Sequence, residues 1–326
     1  MAGVTVVVPT WNRRALLERL MESLGRQSVS PARILVVDNA SDDGSAEMAA
    51  ARGVCVVRME SNTGFSRAVN AGLRQAETEW VAVVNNDVEP EPQWLERLLR
   101  GCERAGAWFA AGRVLEASRR TSLDGAFDLL CRGGCAWRAG HGRSDGPEWA
   151  SSRPVRFVPF TAALLRRELF ARVGFLDEDF ESYLEDVEFG LRCALGGFSG
   201  VYVPDAIAYH AGSATLGAWH RDTVRRIARN QLLLVAKHYP EKWIRRYGWP
   251  VVAAQALWGA VALRHGAGLA WLRGKLEGLR AFRAMRHAAP DPGRLAEILE
   301  QSERELLELQ QRTGFDLYWR LYFALT

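Results

Sequence analysis

Asp87 follows the apolar run Trp80–Val84 and precedes Val88-Glu89-Pro90, within the triplet Asn85-Asn86-Asp87. A carboxylate at the end of a buried strand can hold Mg2+ or Mn2+ while the cation's other positions take phosphate oxygens. A cation there would act as a Lewis acid on a departing pyrophosphate. The same triplet also suits a simple turn. Asp38 ends a second apolar run, in Val36-Val37-Asp38-Asn39-Ala40-Ser41-Asp42. Its carboxylate can accept a hydrogen bond from a base or ribose, and the run is good turn chemistry too. The segment Phe180–Arg192 concentrates acids among apolar residues. Glu185 and Asp186 fall where a helix should begin, and helix N-termini favour carboxylates. That accounts for one of the pair; the other is available as a general base that deprotonates an acceptor hydroxyl. His210 closes the strand-like run Ala206–His210. A lone histidine after a strand is more often structural, but its imidazole would suit a metal held by Asp87.

These residues need elements to position them, and the spacing predicts such elements. Val4–Val8 is a near-continuous apolar strand, as a parallel sheet covered on both faces requires. Helical spacing follows over Arg13–Gln27, then a strand at Ile34–Val37, a helix at Ser45–Arg52 and a strand at Val54–Arg58. A helix at Phe65–Ala76, the strand Trp80–Val84 and a helix at Gln93–Gly106 complete the run. The order βαβαβαβ predicts an α/β fold with a doubly wound, mostly parallel sheet. Ligands of such sheets bind beyond the carboxyl ends of the strands. Thr10 to Arg13, Asp38 to Asp42, Asn62 with Gly64, and Asn85 to Asp87 all fall at those ends. One polar strand end is ordinary; four in succession point to a site. Ser118–Pro154 reads as an irregular excursion, and Val201–Val203 and Ala206–His210 as strands.

Composition narrows the class. Of 326 residues, 48% are apolar and 25% charged, so a packed core and not disorder is expected. A net charge of +4 without a recognition motif gives no argument for nucleic acid. Cys131 and Cys135 would be half a zinc site, but no second Cys/His pair follows, so buried or free thiols in a reducing cytosol are expected. The start carries no charged-then-apolar leader, and no run of about 18 apolar residues predicts a span. The nearest, Trp249–Leu263, is closed by Arg264 and His265.

Taken in order, the motifs resemble the family-two glycosyltransferases of GT-A fold, in particular their rhamnosyltransferase-like branch. The resemblance rests on Val6-Val7-Val8-Pro9-Thr10-Trp11-Asn12-Arg13, on Val36 to Gly44, and on Asn62-Thr63-Gly64-Phe65-Ser66-Arg67 with Ala68 to Gly72. Asn85-Asn86-Asp87 stands at the DxD-like position. Leu165 to Phe170, Val173 to Glu178, Tyr183 to Glu188 and Tyr209-His210 complete it, over roughly residues 3–215. It implies an inverting enzyme that moves a sugar, rhamnose being one candidate, from a nucleoside diphosphate donor to a glycan or lipid-linked acceptor. Asp87 and His210 would then hold Mg2+ or Mn2+, and Asp186 would be the base, with Glu185 the competing acid. Pro9, Thr10, Arg13, Asp38 and Asn62 would line the nucleotide pocket, with Gly64, Arg67 and Asn86 beside them. Phe160 departs from a frequent glycine, and its ring would narrow the sugar or acceptor pocket. A nucleotidyltransferase is the alternative enzyme, though Pro9-Thr10-Trp11-Asn12 is no phosphate loop. A carbohydrate-binding scaffold without activity is the non-enzymatic one.

Residues 1–215 are thus expected to form the transferase domain and 216–326 a helical appendage. From Trp219 to His287 basic residues far outnumber acids, and Trp219, Trp243, Trp249, Trp258 and Trp271 are interleaved. Such a region either packs with a solvated basic face or lies on an anionic membrane. With the resemblance, the expectation is a cytoplasmic protein, peripheral on the inner face of the membrane. Leu295, Ile298, Leu299, Leu306 and Leu309 mark a helix that packs or forms a homodimer, and the aromatic tail Phe315–Phe323 should bury or enter an interface.

Overall fold

The computed structural model describes residues 3–212, 219–286 and 291–326. The expected end of the first domain at 215 and the His287 end of the basic region lie outside the described residues. The chain divides into two compact units: Met1–Phe127 with Gly140–Thr215, and Asp128–Ala139 with Leu216–Thr326.

In the first unit β1 (Val4–Thr10), α1 (Arg14–Gly25), β2 (Arg33–Asp38), α2 (Ser45–Ala51), β3 (Cys55–Arg58), α3 (Phe65–Arg74) and β4 (Trp80–Val84) alternate. All of β1 and β4 is buried, which is why they read as unbroken β-branched and apolar runs. Helix α1 meets the sheet through Leu17, Leu20, Met21 and Leu24, one face of a 3.6-residue period. Helix α3 comes closer. A Cβ at Gly72 would stand 2.4 Å from Val7 Cγ1, so only glycine admits that approach.

The chain continues through β5 (Val88–Pro90), α4 (Trp94–Ala105), β6 (Phe109–Glu116) and β7 (Leu123–Gly125). After β8 (Asp128–Leu130) and β9 (Ala136–Arg138), which belong to the second unit, come β10 (Arg153–Val155), β11 (Ala162–Arg166), α5 (Glu168–Val173), α6 (Glu185–Leu195) and β12 (Gly200–His210). The main sheet runs β10-β12-β6-β11-β4-β1-β2-β3. Its β3-β2-β1-β4 half is parallel, as read from the sequence. Beyond β4 the sheet is mixed, because β11 inserts antiparallel between β4 and β6. The two runs expected at Val201–Val203 and Ala206–His210 are one strand, with its register shifted between Val203 and Ile207. The shifted backbone crowds β6: a Cβ at Gly112 would lie 2.0 Å from Ala206 O.

The second unit holds α7 (Arg221–His238), α8 (Trp243–Arg264), α9 (Gly268–Met285), α10 (Pro292–Thr313) and α11 (Leu317–Leu325). The β8–β9 hairpin is built into it. Leu130 N–H donates to Ser302 Oγ at 2.8 Å, the Tyr239 hydroxyl donates to Arg132 O at 2.7 Å, and Arg132 pairs with Glu303. Part of the excursion that had no place in the sequence reading is therefore core of the helical unit, with Cys131 and Cys135 buried and unbridged. Leu295, Ile298, Leu299, Leu306 and Leu309 are buried inside the unit, as are Trp319 and Tyr322 of the aromatic tail.

Candidate active site

Thr10 and Asp38 are partners across the β1–β2 ladder, so the ends of these parallel strands lie at one edge of the sheet, beside the end of β4. The loops that follow are bonded to one another. Asn86 Nδ2 donates to Thr10 Oγ1 at 2.8 Å, and Asn12 N–H donates to Ser41 Oγ at 2.7 Å. Asn39, almost fully buried, donates to Asn62 Oδ1 at 2.9 Å and accepts from Thr63 N–H at 2.9 Å. A simple turn would bond mainly within itself; these bonds cross between loops. Asn12, Arg13 and Ala40 hold φ of 59°, 68° and 63°, a left-handed conformation that costs energy and gathers at ligand sites. Pro9 is buried beneath this edge, and Arg13 and Trp11 are exposed at it. Gly64 opens α3 with φ 87°. Arg67 is turned along α3 to Glu178, 3.3 Å away.

The end of β4 meets the end of β12 through β5, which pairs Val88 with His210. His210 Nε2 stands 3.2 Å from Asp87 Oδ1, and its Nδ1 stands 3.0 Å from Asp124 Oδ2. His141 Nδ1 donates to the Asp124 carbonyl at 2.9 Å and so secures β7. Burial disfavours a charged imidazole, but Asp124 and Asp87 outweigh it and raise the His210 pKa to about 9. The set fits a divalent cation. Two ligand atoms bound at right angles with Mg2+- or Mn2+-like bond lengths lie about 3 Å apart, close to the observed Asp87–His210 separation. Among the described residues no group of three or more His, Cys, Asp or Glu is arranged as a metal cage. Phosphate oxygens and water would complete the shell, as is usual for Mg2+. Asp124 was not found from the sequence. Its Asp-Gly pair reads as a turn, and nothing local links it to His210.

Asp186 sits in the first turn of α6, buried, and accepts from Val187 N–H at 2.8 Å and Phe160 N–H at 3.3 Å. Glu185 beside it is buried as well, and Glu188 is committed to Arg192 at 2.8 Å. The approach to α6 is strained: Glu181, Tyr183 and Leu184 all have positive φ. It is also anchored. Asn70 of α3 bonds Leu176 through both ends of its amide, at 2.9 and 3.0 Å, and Ser66 N–H donates to Glu181 O at 2.8 Å. The Phe160 ring is 1% exposed, packs edge-on against Phe189 at 5.7 Å, and lines a small cavity together with Val158 and Asp186.

Residues 5–174 match the family described as Glycosyl transferase family 2, and residues 138–282 match Glycosyl transferase family group 2. An N-acetylglucosaminyl-diphospho-decaprenol L-rhamnosyltransferase of Mycobacterium tuberculosis is 28% identical over 281 residues, 77% of this chain and 90% of that protein. A pre-mycofactocin glycosyltransferase of the same species is 29% identical over 305 residues, 87% of this chain and 58% of that one. Among solved structures, GalNAc-T7 with UDP, GalNAc and Mn2+ superposes with a TM-score of 0.65 at 14% identity, covering 96% of this chain and 58% of the other. Staphylococcus aureus TarS 1–349 with UDP-GlcNAc gives 0.56 at 16%, covering 99% and 91%. These likenesses show the fold, a mixed α/β fold of GT-A type with helices at the C-terminus.

Proposed function

This chain belongs to glycosyl transferase family 2, and on that premise we propose that it inverts the anomeric centre of a nucleotide sugar by direct displacement, with help from a divalent metal. The carrying observation is that Asp87, His210 and Asp124 stand in line beside the loops that follow β1 and β4. The loops after β1, β2 and β3 take the nucleotide, with Asp38, Asn62 and the Asn12–Arg13 backbone nearest to hand. Asp87 and His210 would hold Mg2+ or Mn2+, and the cation would supply positive charge for the departing diphosphate. Asp124, with Oδ2 3.0 Å from His210 Nδ1, faces the ring from behind and favours the orientation that turns Nε2 toward Asp87. Asp186 takes the proton of the acceptor hydroxyl as its oxygen attacks the sugar opposite the diphosphate. Backbone N–H groups of Phe160 and Val187 fix the orientation of that carboxylate.

The relative named for an N-acetylglucosaminyl-diphospho-decaprenol acceptor supports rhamnose as the sugar and a lipid-linked glycan as the acceptor. Such an acceptor would be met at the cytoplasmic face of a membrane, by a protein bound peripherally. A panel of nucleoside diphosphate sugars, each assayed with and without Mn2+, tests the reading. Metal-dependent release of nucleoside diphosphate is expected and EDTA should abolish it. Release of inorganic pyrophosphate from a nucleoside triphosphate supplied with a sugar 1-phosphate would move the chain to the nucleotidyltransferases, and no release from any donor would leave a binding scaffold.

A further inference from the structure

Helix α9 has two different long faces. Gly274 and Gly278 lie against α7, where a Cβ at Gly274 would fall 2.1 Å from Arg225 O. Lys275 runs inward on the same side to Ala228 O and Gln231 Oε1, at 2.8 and 2.9 Å. These contacts fix the rotation of the helix. Its other side carries Leu269, Leu272, Leu276 and Leu279, all exposed, Leu269 to 86%. Their spacing of three, four and three places them on one stripe. At the end of α8, Leu263 adjoins the start of α9, since a Cβ at Gly268 would lie 2.9 Å from Leu263 Cδ1, and it is exposed too. Scattered leucines on a surface need no explanation, but a continuous stripe does.

Charge decides what covers it. Between Trp243 and Met285 the basic residues are Arg245, Arg246, Arg264, Arg273, Lys275, Arg280 and Arg283, and the one acid is Glu277. Glu277 is already paired with Arg225 at 2.6 Å and Arg273 at 3.1 Å. Arg273 and Arg280 each follow a stripe leucine by one residue, on the same flank. In a coiled coil with a second copy the leucines would be the a and d positions and these arginines the e positions. Antiparallel pairing would set arginine against arginine, and parallel pairing would offer them Lys275 and Phe282 at g. Neither supplies an acid. An anionic lipid surface supplies many. Among the described residues no helix is long and apolar enough to cross a membrane.

We propose that the leucine stripe of α9, with Leu263 beside it, lies in the interface of an anionic lipid bilayer, held there by Arg273, Arg280 and Arg283. This narrows the expectation drawn from the interleaved tryptophans. Trp258 and Trp271 are half-buried, Trp271 over Gly259, and Trp249 donates its indole N–H to Leu325 O. Leucines, with arginines on their flank, make the face. The proposal deepens the membrane-bound acceptor reading but is tested without donor or acceptor, so either can fail alone.

The test is sedimentation of the full chain with phosphatidylcholine vesicles, with and without phosphatidylglycerol. The wild type should bind the anionic vesicles and release them at high salt. Leu269→Ser with Leu279→Ser, at sites already exposed, should weaken binding by about tenfold or more. Arg280→Glu with Arg283→Glu should abolish the preference for anionic lipid. Both variants should melt like the wild type and keep its rate of donor hydrolysis. Wild type that binds neither vesicle, or leucine variants that bind as well as it does, would overturn the proposal. So would a solution dimer that the leucine variants dissociate, since a second copy would then be the occupant.

Discussion

In the first unit, apart from the exposed Trp11, the large apolar side chains are inside and the unusual polar groups sit at a sheet edge: Thr10, Asp38, Asn39, Asp186 and His210 are all nearly buried there. In the second unit the pattern reverses. Lys275, Gln231, Gln255, Ser302 and Glu303 are buried within the helices, while Ile244, Leu263, Leu269 and Leu279 stand in solvent. Buried polar groups cost desolvation in both places. In the second unit the cost is met by bonds that tie α7, α8 and α9 together: Lys275 to the Ala228 carbonyl and to Gln231 and Gln255. In the first unit the corresponding bonds aim side chains at a common edge, beside backbone strained at Asn12, Ala40 and Tyr183. On the proposed function, polar burial at the sheet edge serves ligand binding, and polar burial among the helices serves the fold. Substitutions in the first should remove turnover and spare stability, and substitutions in the second should do the opposite.

The largest effect should come from Asp87→Asn. Loss of a hard anionic ligand should lower turnover on the order of a thousandfold, with a melting temperature close to wild type because the amide still accepts from His210. Calorimetry beside an assay of nucleoside diphosphate release checks both halves. Unaltered turnover in saturating Mn2+ would break the metal assignment; a collapsed melting temperature would break the comparison. Next, Asp186→Asn should reduce turnover by about a hundredfold to ten-thousandfold, as expected of a lost general base, with donor affinity unchanged. Glu185→Gln should cost less. If it costs more, the neighbouring acid is the base. Smaller again, Asp124→Asn should weaken Mn2+ binding by roughly tenfold to a hundredfold, the usual loss when a partner behind a metal-binding histidine is altered. Titration calorimetry of Mn2+ with nucleoside diphosphate present reads this directly, and a Mn2+ affinity equal to wild type would reduce Asp124 to a strand residue.

Legibility in the sequence divides along the same line. Apart from the short β5, the strands and helices from Val4 to Ala105 follow from apolar runs and their periods, because the central strands β1 and β4 are buried along their whole length and the helices bury one face. The polar strand ends came with them, since chain order alone puts them at one edge. What failed was non-local. The antiparallel entry of β11 depends on partners at Val81–Val84 and Phe109–Ala111, which its own composition does not reveal. Leu130 bonds to a residue 172 positions away, so the hairpin's place in the helical unit left no local trace. Asp124 and His210 are likewise joined only by the fold. In the second unit, composition announced a basic and aromatic region, but which side chains turn outward depended on the glycines of α9, whose close contact with α7 sets the helix's rotation.

The smallest predicted effect is the share of the pH dependence of stability that Lys275 of the helical unit supplies. Burial pushes the Lys275 amine from 10.5 down to about 7, against a partial lift from Cys135. Three nearby acceptors, Ala228 O, Gln231 Oε1 and Gln255 Oε1, suit an ammonium, yet a neutral amine can also donate to two of them. Because the folded pKa lies below the unfolded one, the unfolded chain holds more protons between the two values, and stability rises with pH across that interval. Cys135 acts in the same direction, its thiol lowered from 9.0 by hydrogen bonds from Cys131 and Tyr318 that outweigh burial. Cys131, raised by burial, works against both only above its ordinary value of 9.0. From about pH 7 to pH 9 His210, raised to about 9, pulls stability the other way, so the lysine's share, up to about 1.4 kcal/mol per pH unit, is read as the difference between wild type and a variant that cannot titrate. Melting curves of the wild type and Lys275→Met at several pH values in that window isolate the lysine. The variant keeps the length of the side chain and cannot titrate, but it leaves three buried acceptors without their donor. It should melt lower than wild type at pH 9, with a gap that narrows toward pH 7 and undiminished donor hydrolysis. Equal slopes would mean that the amine stays protonated through the window, held by its three acceptors. Lost hydrolysis would mean that polar burial in the helices serves the reaction after all.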